Sequence, residues 1–197
     1  MHPYATDSSE RRIVPLVLAV ISIGAAWLLP KAFHVAGLDV PWWLDAPSVM
    51  GFYGLLHGAF DRWIWKWTPL CTIGLVRVPD LNGPWKYTIK SSFLNGKNVD
   101  ARVTITQTWR SIHVRLDTDQ SHSSSLIASL LIDNPNEYVL NYEFLNSPKQ
   151  DAVETMHMHR GSAEIRFPKN GKILTGDGEY YSGRDRANQG SVTAERM

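Results

Sequence analysis

The sequence predicts a membrane protein in two parts: two N-terminal transmembrane α-helices, then an all-β, about eight-stranded up-and-down minimal β-barrel. Three observations carry that fold class. Ile13 to Leu29 contains no charge, a glycine-bearing apolar stretch between tryptophan clusters follows, and beyond residue 79 the hydrophobic pattern changes from continuous to alternating. Averages conceal this division: a mean hydropathy of -0.21 and 20% charged residues describe a soluble chain, but the apolar residues gather near the N-terminus and most charges come later. The expected boundaries are 1–68 for the helical region, with spans at about 13–35 and 47–67, then 69–79 for a linker and 80–197 for a cytosolic ligand-sensing barrel.

The first span reads IVPLVLAVISIGAAWLL and continues past Pro30 and Lys31 into Phe33, Val35 and Ala36. A helix crosses about 30 Å of hydrocarbon with about 20 residues, so this segment is just long enough. Arg11 and Arg12 before an apolar run also suit a secretory signal, but Trp27 and Pro30 occupy the place where small residues would mark cleavage. The anchor reading is the better one.

The second span, VMGFYGLLHGAFDRWIWKW, is less uniformly apolar. Gly51, Gly54 and Gly58 are spaced to let another helix approach closely. His57 and Asp61 lie one turn apart, so they share a helix face that is costly in lipid unless it meets protein or water. They either bond across a helix pair or form part of an oligomer interface or wet path. An amphipathic run of this kind can also lie in the membrane interface. Trp63, Trp65 and Trp67 on one side and Trp42 and Trp43 on the other form interfacial belts. Arg11, Arg12, Arg62 and Lys66 flank the pair, whereas the connecting loop has only Lys31 with Asp39 and Asp45, so both termini and the barrel are expected in the cytoplasm.

The strands are expected within Trp85–Lys90, Val103–Trp109, Ile112–Asp117, Ser123–Ile132, Tyr138–Leu145, Met156–Phe167, Ile173–Tyr181 and Gly190–Glu195. Turns are marked by Leu94-Asn95-Gly96-Lys97, Trp109-Arg110-Ser111, Asn134-Pro135-Asn136, Pro148 and Lys169-Asn170-Gly171-Lys172. Hairpin-length connections and the lack of a crossover helix give an antiparallel meander, and closing it into a barrel removes its exposed edges.

A net charge of +1 gives no field to recruit a nucleic-acid polymer, and the single cysteine, Cys71, excludes an intramolecular disulfide. No catalytic set is evident, so the chain is read as a non-enzyme without a resident cofactor. Ser123, Ser124 and Ser125 near His122 lack a nucleophile elbow, and His157 with His159 lacks a third metal ligand. Trp85, Trp109, Tyr142 and Tyr180 have the alternation of barrel-interior aromatics: singly each suits the core, and together they suit a cavity for a flat ligand, with Gln107, Asn146 and His159 either as its orienting polar groups or as polar groups paired within the core. In Gly176–Arg186, Arg184 and Arg186 either offer bidentate donors to phosphate beside tyrosines that can stack on bases, or are the solvated arginines of a glycine-rich hairpin.

Two spans followed by Leu81-Asn82-Gly83-Pro84-Trp85, Thr106-Gln107-Thr108-Trp109, Tyr142-Glu143-Phe144-Leu145-Asn146, Met158-His159-Arg160-Gly161 and Gly178-Glu179-Tyr180-Tyr181-Ser182-Gly183-Arg184 form a pattern that resembles the CD-NTase-associated, two-transmembrane β-barrel effectors of CBASS anti-phage defence. That resemblance implies a bacterial inner-membrane protein activated by a cyclic dinucleotide from a linked CD-NTase. It further implies that the bound barrels form a homo-oligomer whose helices disrupt the lipid bilayer, giving abortive infection. Trp85, Gln107, Trp109, Tyr142, Asn146, His159, Tyr180 and Arg184 fall in the matching motifs, and Arg186 joins them on phosphate chemistry alone. A membrane-anchored lipocalin-like binder of an apolar ligand and a membrane hydrolase are the alternatives.

Overall fold

The computed structural model describes residues 1–37, 45–92, 98–153, 156–169, 171, 173–183 and 188–197, and only the backbone of 45–48. Arg184 and Arg186, Trp42 and Trp43, Asp39, and the 94–97 turn lie outside the described residues. Two compact units emerge, one of residues 9–77 and one joining residues 1–8 to 78–197.

In the helical unit, α1 runs Glu10–Val35 and α2 runs Asp45–Arg62. A single-turn 3-10 helix at Ile64–Lys66 and a short α3 at Thr68–Thr72 follow within what the sequence suggested was span end and linker. Pro15 lies in the second turn of α1 and Pro30 near its end, and since both lie beyond the first turn each removes one backbone hydrogen bond from the helix. Val14, Leu18, Ser22 and Ala26 recur every fourth residue as a buried stripe on α1, and α1 and α2 pack together. Ser22 fits this interior by donating its hydroxyl to the Leu18 carbonyl at 2.7 Å. Leu16, Val20, Ile23 and Trp27 remain exposed, an arrangement stable only in an apolar surrounding. Among the described helices, α1 alone is long and apolar enough to cross a membrane, with a mean hydropathy of 2.3 in its best window. The polar residues of α2 keep it below that standard.

Among the described residues the barrel has nine strands rather than about eight: β1 His2–Thr6, β2 Gly83–Ser91, β3 Asn98–Gln107, β4 Ser111–Asp117, β5 Ser121–Leu131, β6 Glu137–Pro148, β7 His159–Pro168, β8 Thr175–Ser182 and β9 Gln189–Arg196. Strands β2 to β9 are the eight expected from alternation, in meander order, and the sheet closes. The extra strand comes from the extreme N-terminus. Pairing between β4 and β5 is confined to Arg115–Asp117 against Ser124–His122, and where the two diverge β1 enters between them. It is antiparallel to β4 at His2 and Pro3 and parallel to β5 at Tyr4, Ala5 and Thr6. Ser125 spans the same seam: its hydroxyl accepts the Val114 N–H at 2.9 Å and meets His2 Nε2 at 2.7 Å. Asp7 ends the insertion, its carboxylate accepting the Ile132 and Asp133 amides at 2.8 and 3.0 Å. A bulge between Ser125 and Ile127 shifts the register, so that Ser121, Ser123 and Ser125 before it and Ala128 and Leu130 after it all face inward.

One end of the barrel is packed solid, and three of the sequence-nominated binding residues sit there. Trp85 is fully buried against Phe167, ring centroids 5.3 Å apart, and its Nε1 donates to the Leu81 carbonyl at 2.9 Å. The Arg196 guanidinium covers the indole at 5.5 Å while donating to the Asp80 and Asn82 carbonyls. Gln107 joins this end to the chain entering β2: its Oε1 accepts the Leu81 N–H at 2.9 Å, its Nε2 donates to the Pro79 carbonyl at 3.1 Å, and its backbone pairs with the Asn82 side chain. Trp109 is buried, and its carbonyl accepts the Tyr4 hydroxyl at 2.8 Å. Gly83 makes the entry possible, since its φ of +124° is closed to side chains with a Cβ. The Leu81–Trp85 motif therefore builds the plug of the barrel.

Replacing Gln107 by Leu leaves the Leu81 amide and Pro79 carbonyl buried without partners, and denaturation in detergent should show a loss of about 1–3 kcal/mol for each. Tyr4→Ala removes an aromatic side chain from the β1 seam and should cost about 3 kcal/mol by the same measurement. The seam is also acid-sensitive. Burial, then the N-terminal amine, His2 and Arg115, hold the His113 pKa below its ordinary 6.5. The unfolded chain then takes up the proton first, so the contribution of neutral His113 is complete above 6.5 and is lost as pH falls toward the folded value. Thermal melts across that window should decline on acidification and flatten in His113→Gln.

Candidate ligand-binding site

The opposite end of the barrel is hollow. Its cavity of about 390 Å³ lies among the β4–β5 turn, the ends of β2, β6 and β8, and the start of β7. Alternation accounts for its walls: Tyr87, Ile89 and Ser91 on β2, Phe144 and Asn146 on β6, and Tyr180 and Ser182 on β8 lie two residues apart and share the inner face. Small residues make the room. A Cβ on Gly178 would collide with the Glu164 carbonyl, and one on Gly190 with the Lys90 carbonyl and the Tyr180 ring, so these strands approach closely and Tyr180 covers its cross-strand neighbour Gly190.

The lining is segregated. Tyr87, Ile89, Val99, Leu116, Tyr142, Phe144 and Val192 give aromatic and aliphatic walls, while Thr118, Asp119, Gln120, Ser121, Asn188 and His159 supply polar groups near the turns. Tyr180 donates its hydroxyl to Ser91 Oγ at 2.7 Å. Asn146 Nδ2 donates to Ser121 Oγ at 3.1 Å, and that hydroxyl also meets Thr118 Oγ1 at 3.2 Å. His159 is held locally by its Nδ1 contact of 2.9 Å with the His157 carbonyl. Burial raises the pKa of both Tyr142 and Tyr87, so each phenol stays neutral and able to donate. Among the described lining residues there is no lysine or arginine, and Asp119 is the one carboxylate. Among the described residues no group of three or more His, Cys, Asp or Glu side chains is placed to hold a metal.

The structure thus brings together Tyr142, Asn146, His159 and Tyr180 from the residues nominated by sequence and separates them from Trp85, Gln107 and Trp109. It adds Tyr87, Ser91, Ser121, Ser123 and Phe144. Tyr87 was detectable in principle, since it alternates with Trp85 and Ile89. The inward serines were not, because their direction depends on register and on the bulge. On α2, Gly51, Gly54 and Gly58 are exposed with open space about each, while His57 and Asp61 are half-buried and the His57 ring lies 5.7 Å from that of Tyr53.

Comparison with known proteins assigns both units. The family model "Cap15, cyclic dinucleotide receptor domain" matches residues 76–196, and the model "Cap15, TM helices" matches residues 13–66. The CD-NTase-associated protein 15 of Yersinia aleksiciae is 32% identical over 190 residues, covering 94% of this chain and 88% of the relative. The protein of that name from Staphylococcus schleiferi is 23% identical over 126 residues, covering 64% and 65%. The hollow barrel and its apolar helical region are accordingly those of a Cap15 family member, with a transmembrane region followed by a cyclic dinucleotide receptor domain.

Proposed function

We propose that this chain is a CBASS effector in which a cyclic dinucleotide occupies the barrel cavity, promotes association of chains through their helices, and so disrupts the membrane. The observation carrying this reading is the cavity itself: aromatic walls suited to bases and a hydroxyl- and amide-rich end suited to sugar and phosphate, within the domain matched by the receptor model. Those polar groups favour a polar ligand over the apolar cargo of a lipocalin. Tyr142 and Tyr180 are the proposed stacking surfaces, with Asn146 and His159 as the hydrogen-bonding groups. The proposed role is sensing and coupling rather than catalysis.

Support for a paired crossing comes from β1. Residues 2–6 and 83–196 belong to one barrel, so the chain leaves and returns on the same side of the membrane. An even number of crossings between them satisfies this, with α1 as the first and α2 as the return. The flanking Arg11, Arg12, Arg62 and Lys66 favour the cytoplasm for that side. For assembly, the open face bearing Gly51, Gly54 and Gly58 gives a second chain a surface of close approach. A ligand shifts such an equilibrium only by binding the assembled state better than the dispersed one.

Calorimetry of the full-length protein in nanodiscs against a cyclic dinucleotide panel tests the receptor step, with Tyr180→Ala expected to weaken binding about 10-fold or more through lost stacking. Co-expression with the cognate synthase should arrest growth. No binding by any member, together with no growth arrest, would sink the proposal. Gly54→Glu or Gly58→Glu should abolish the arrest while leaving affinity unchanged, and continued killing by both variants would remove the helix-association step.

A further inference from the structure

Tyr87 was not among the residues nominated for binding, yet its hydroxyl is the most conspicuous polar group in the cavity wall. The side chain is 1% exposed, it lines the cavity, and its hydroxyl has no hydrogen-bond partner among the described residues. A phenol buried without a partner carries the full cost of its lost hydration, so most buried tyrosine hydroxyls are satisfied. Tyr180, on the same cavity wall, bonds Ser91, and Tyr4 in the plug bonds the Trp109 carbonyl. The Tyr87 hydroxyl alone among these is unspent.

The surroundings indicate what it waits for. Ile89, Val99, Tyr142 and Val192 share the cavity with it. A phosphodiester would have to leave water without a cation among the described lining residues, which is far costlier than burying a neutral heterocycle. A nucleobase presents a flat apolar face to the aromatic walls and donor and acceptor atoms along its edge. Asn146 gives independent support, since its Oδ1 is also buried without a partner among the described residues. The cavity therefore carries an acceptor on β6 and a donor–acceptor on β2, the pair that a base edge can satisfy.

Resting on the receptor reading above, we propose that one nucleobase of the cyclic dinucleotide enters the barrel and that the Tyr87 hydroxyl hydrogen-bonds its edge, so that Tyr87 helps set which base the sensor accepts. The phosphodiester ring stays toward the polar turns. Sites that hydrogen-bond a ligand edge discriminate strongly, because an unsuitable ligand leaves the buried group unpaired.

The test uses the full-length protein in nanodiscs and calorimetry with whichever panel member binds wild type most tightly. Tyr87→Phe should bind it about 10-fold more weakly. Its ligand-free melting temperature should equal or exceed that of wild type, since the change removes an unsatisfied hydroxyl and keeps the ring. An analogue of the same dinucleotide whose bases are replaced by hydrocarbon rings of similar size, and so have no hydrogen-bonding edge, should bind the two proteins equally, which ties the loss to the base edge. Equal affinity of variant and wild type for the natural ligand would overturn the inference while leaving the receptor reading intact, as would an equal loss with the analogue. Failure of wild type to bind any member would instead remove the receptor reading, and the inference with it.

Discussion

Closure of the hydrogen-bond ladder is the constraint on which the rest of the molecule depends. Strands β2 and β9 pair from Trp85 against Arg196 to Ser91 against Gly190, joining the beginning of the meander to its last residues. At the other seam β4 and β5 hold only three pairs, and β1 with the Ser125 hydroxyl completes the wall. Without either seam a long flat edge would face solvent, a form prone to pairing with other chains. Closure also creates the inside. Once the wall is continuous, each inward side chain must either fill space or line it, and the division between plug and cavity follows from residue size: indoles and Phe167 at one end, Gly178, Gly190, Ala163 and serines toward the other.

The polar chemistry of the two ends differs in the same way. In the plug every polar group considered is spent, with Gln107 binding backbone on both sides and Trp85 binding the Leu81 carbonyl. In the cavity some are left over, notably Asn146 Oδ1 and the Tyr87 hydroxyl. Saturated networks give rigidity, and unsaturated ones store a cost that a ligand can relieve. A rigid end and a receptive end in one barrel is the arrangement expected of a sensor whose frame must not yield when its occupant arrives.

Much of this was legible in sequence, because alternation is a local signal. Eight strands were found from period-two patterning, and α1 from its uncharged run. Tyr142, Asn146, His159 and Tyr180 were placed at the cavity. Trp85, Gln107 and Trp109 carry the same local pattern yet sit in the plug, since alternation gives the face of a strand but not the height along the barrel. That coordinate is set by stagger between strands distant in sequence. Strand β1 was missed for a related reason: five residues including Pro3 are too short to show a period, and their partners lie more than a hundred positions away. The inward direction of Ser121 and Ser123 depended on pairing with β6 and on a bulge that no single segment announces.

The position of β1 has a consequence for how the protein is made. Residues 2–6 are synthesised well before β9, and both belong to the same closed wall. The N-terminal strand must therefore wait, through insertion of α1 and synthesis of more than a hundred residues, for β4 and β5 to appear. Such non-local pairing is slow to form. A chain cut short anywhere before Gln189 retains the apolar α1 but lacks β9 and cannot complete the barrel, so the cavity exists only once a strand made long after α1 has joined the wall.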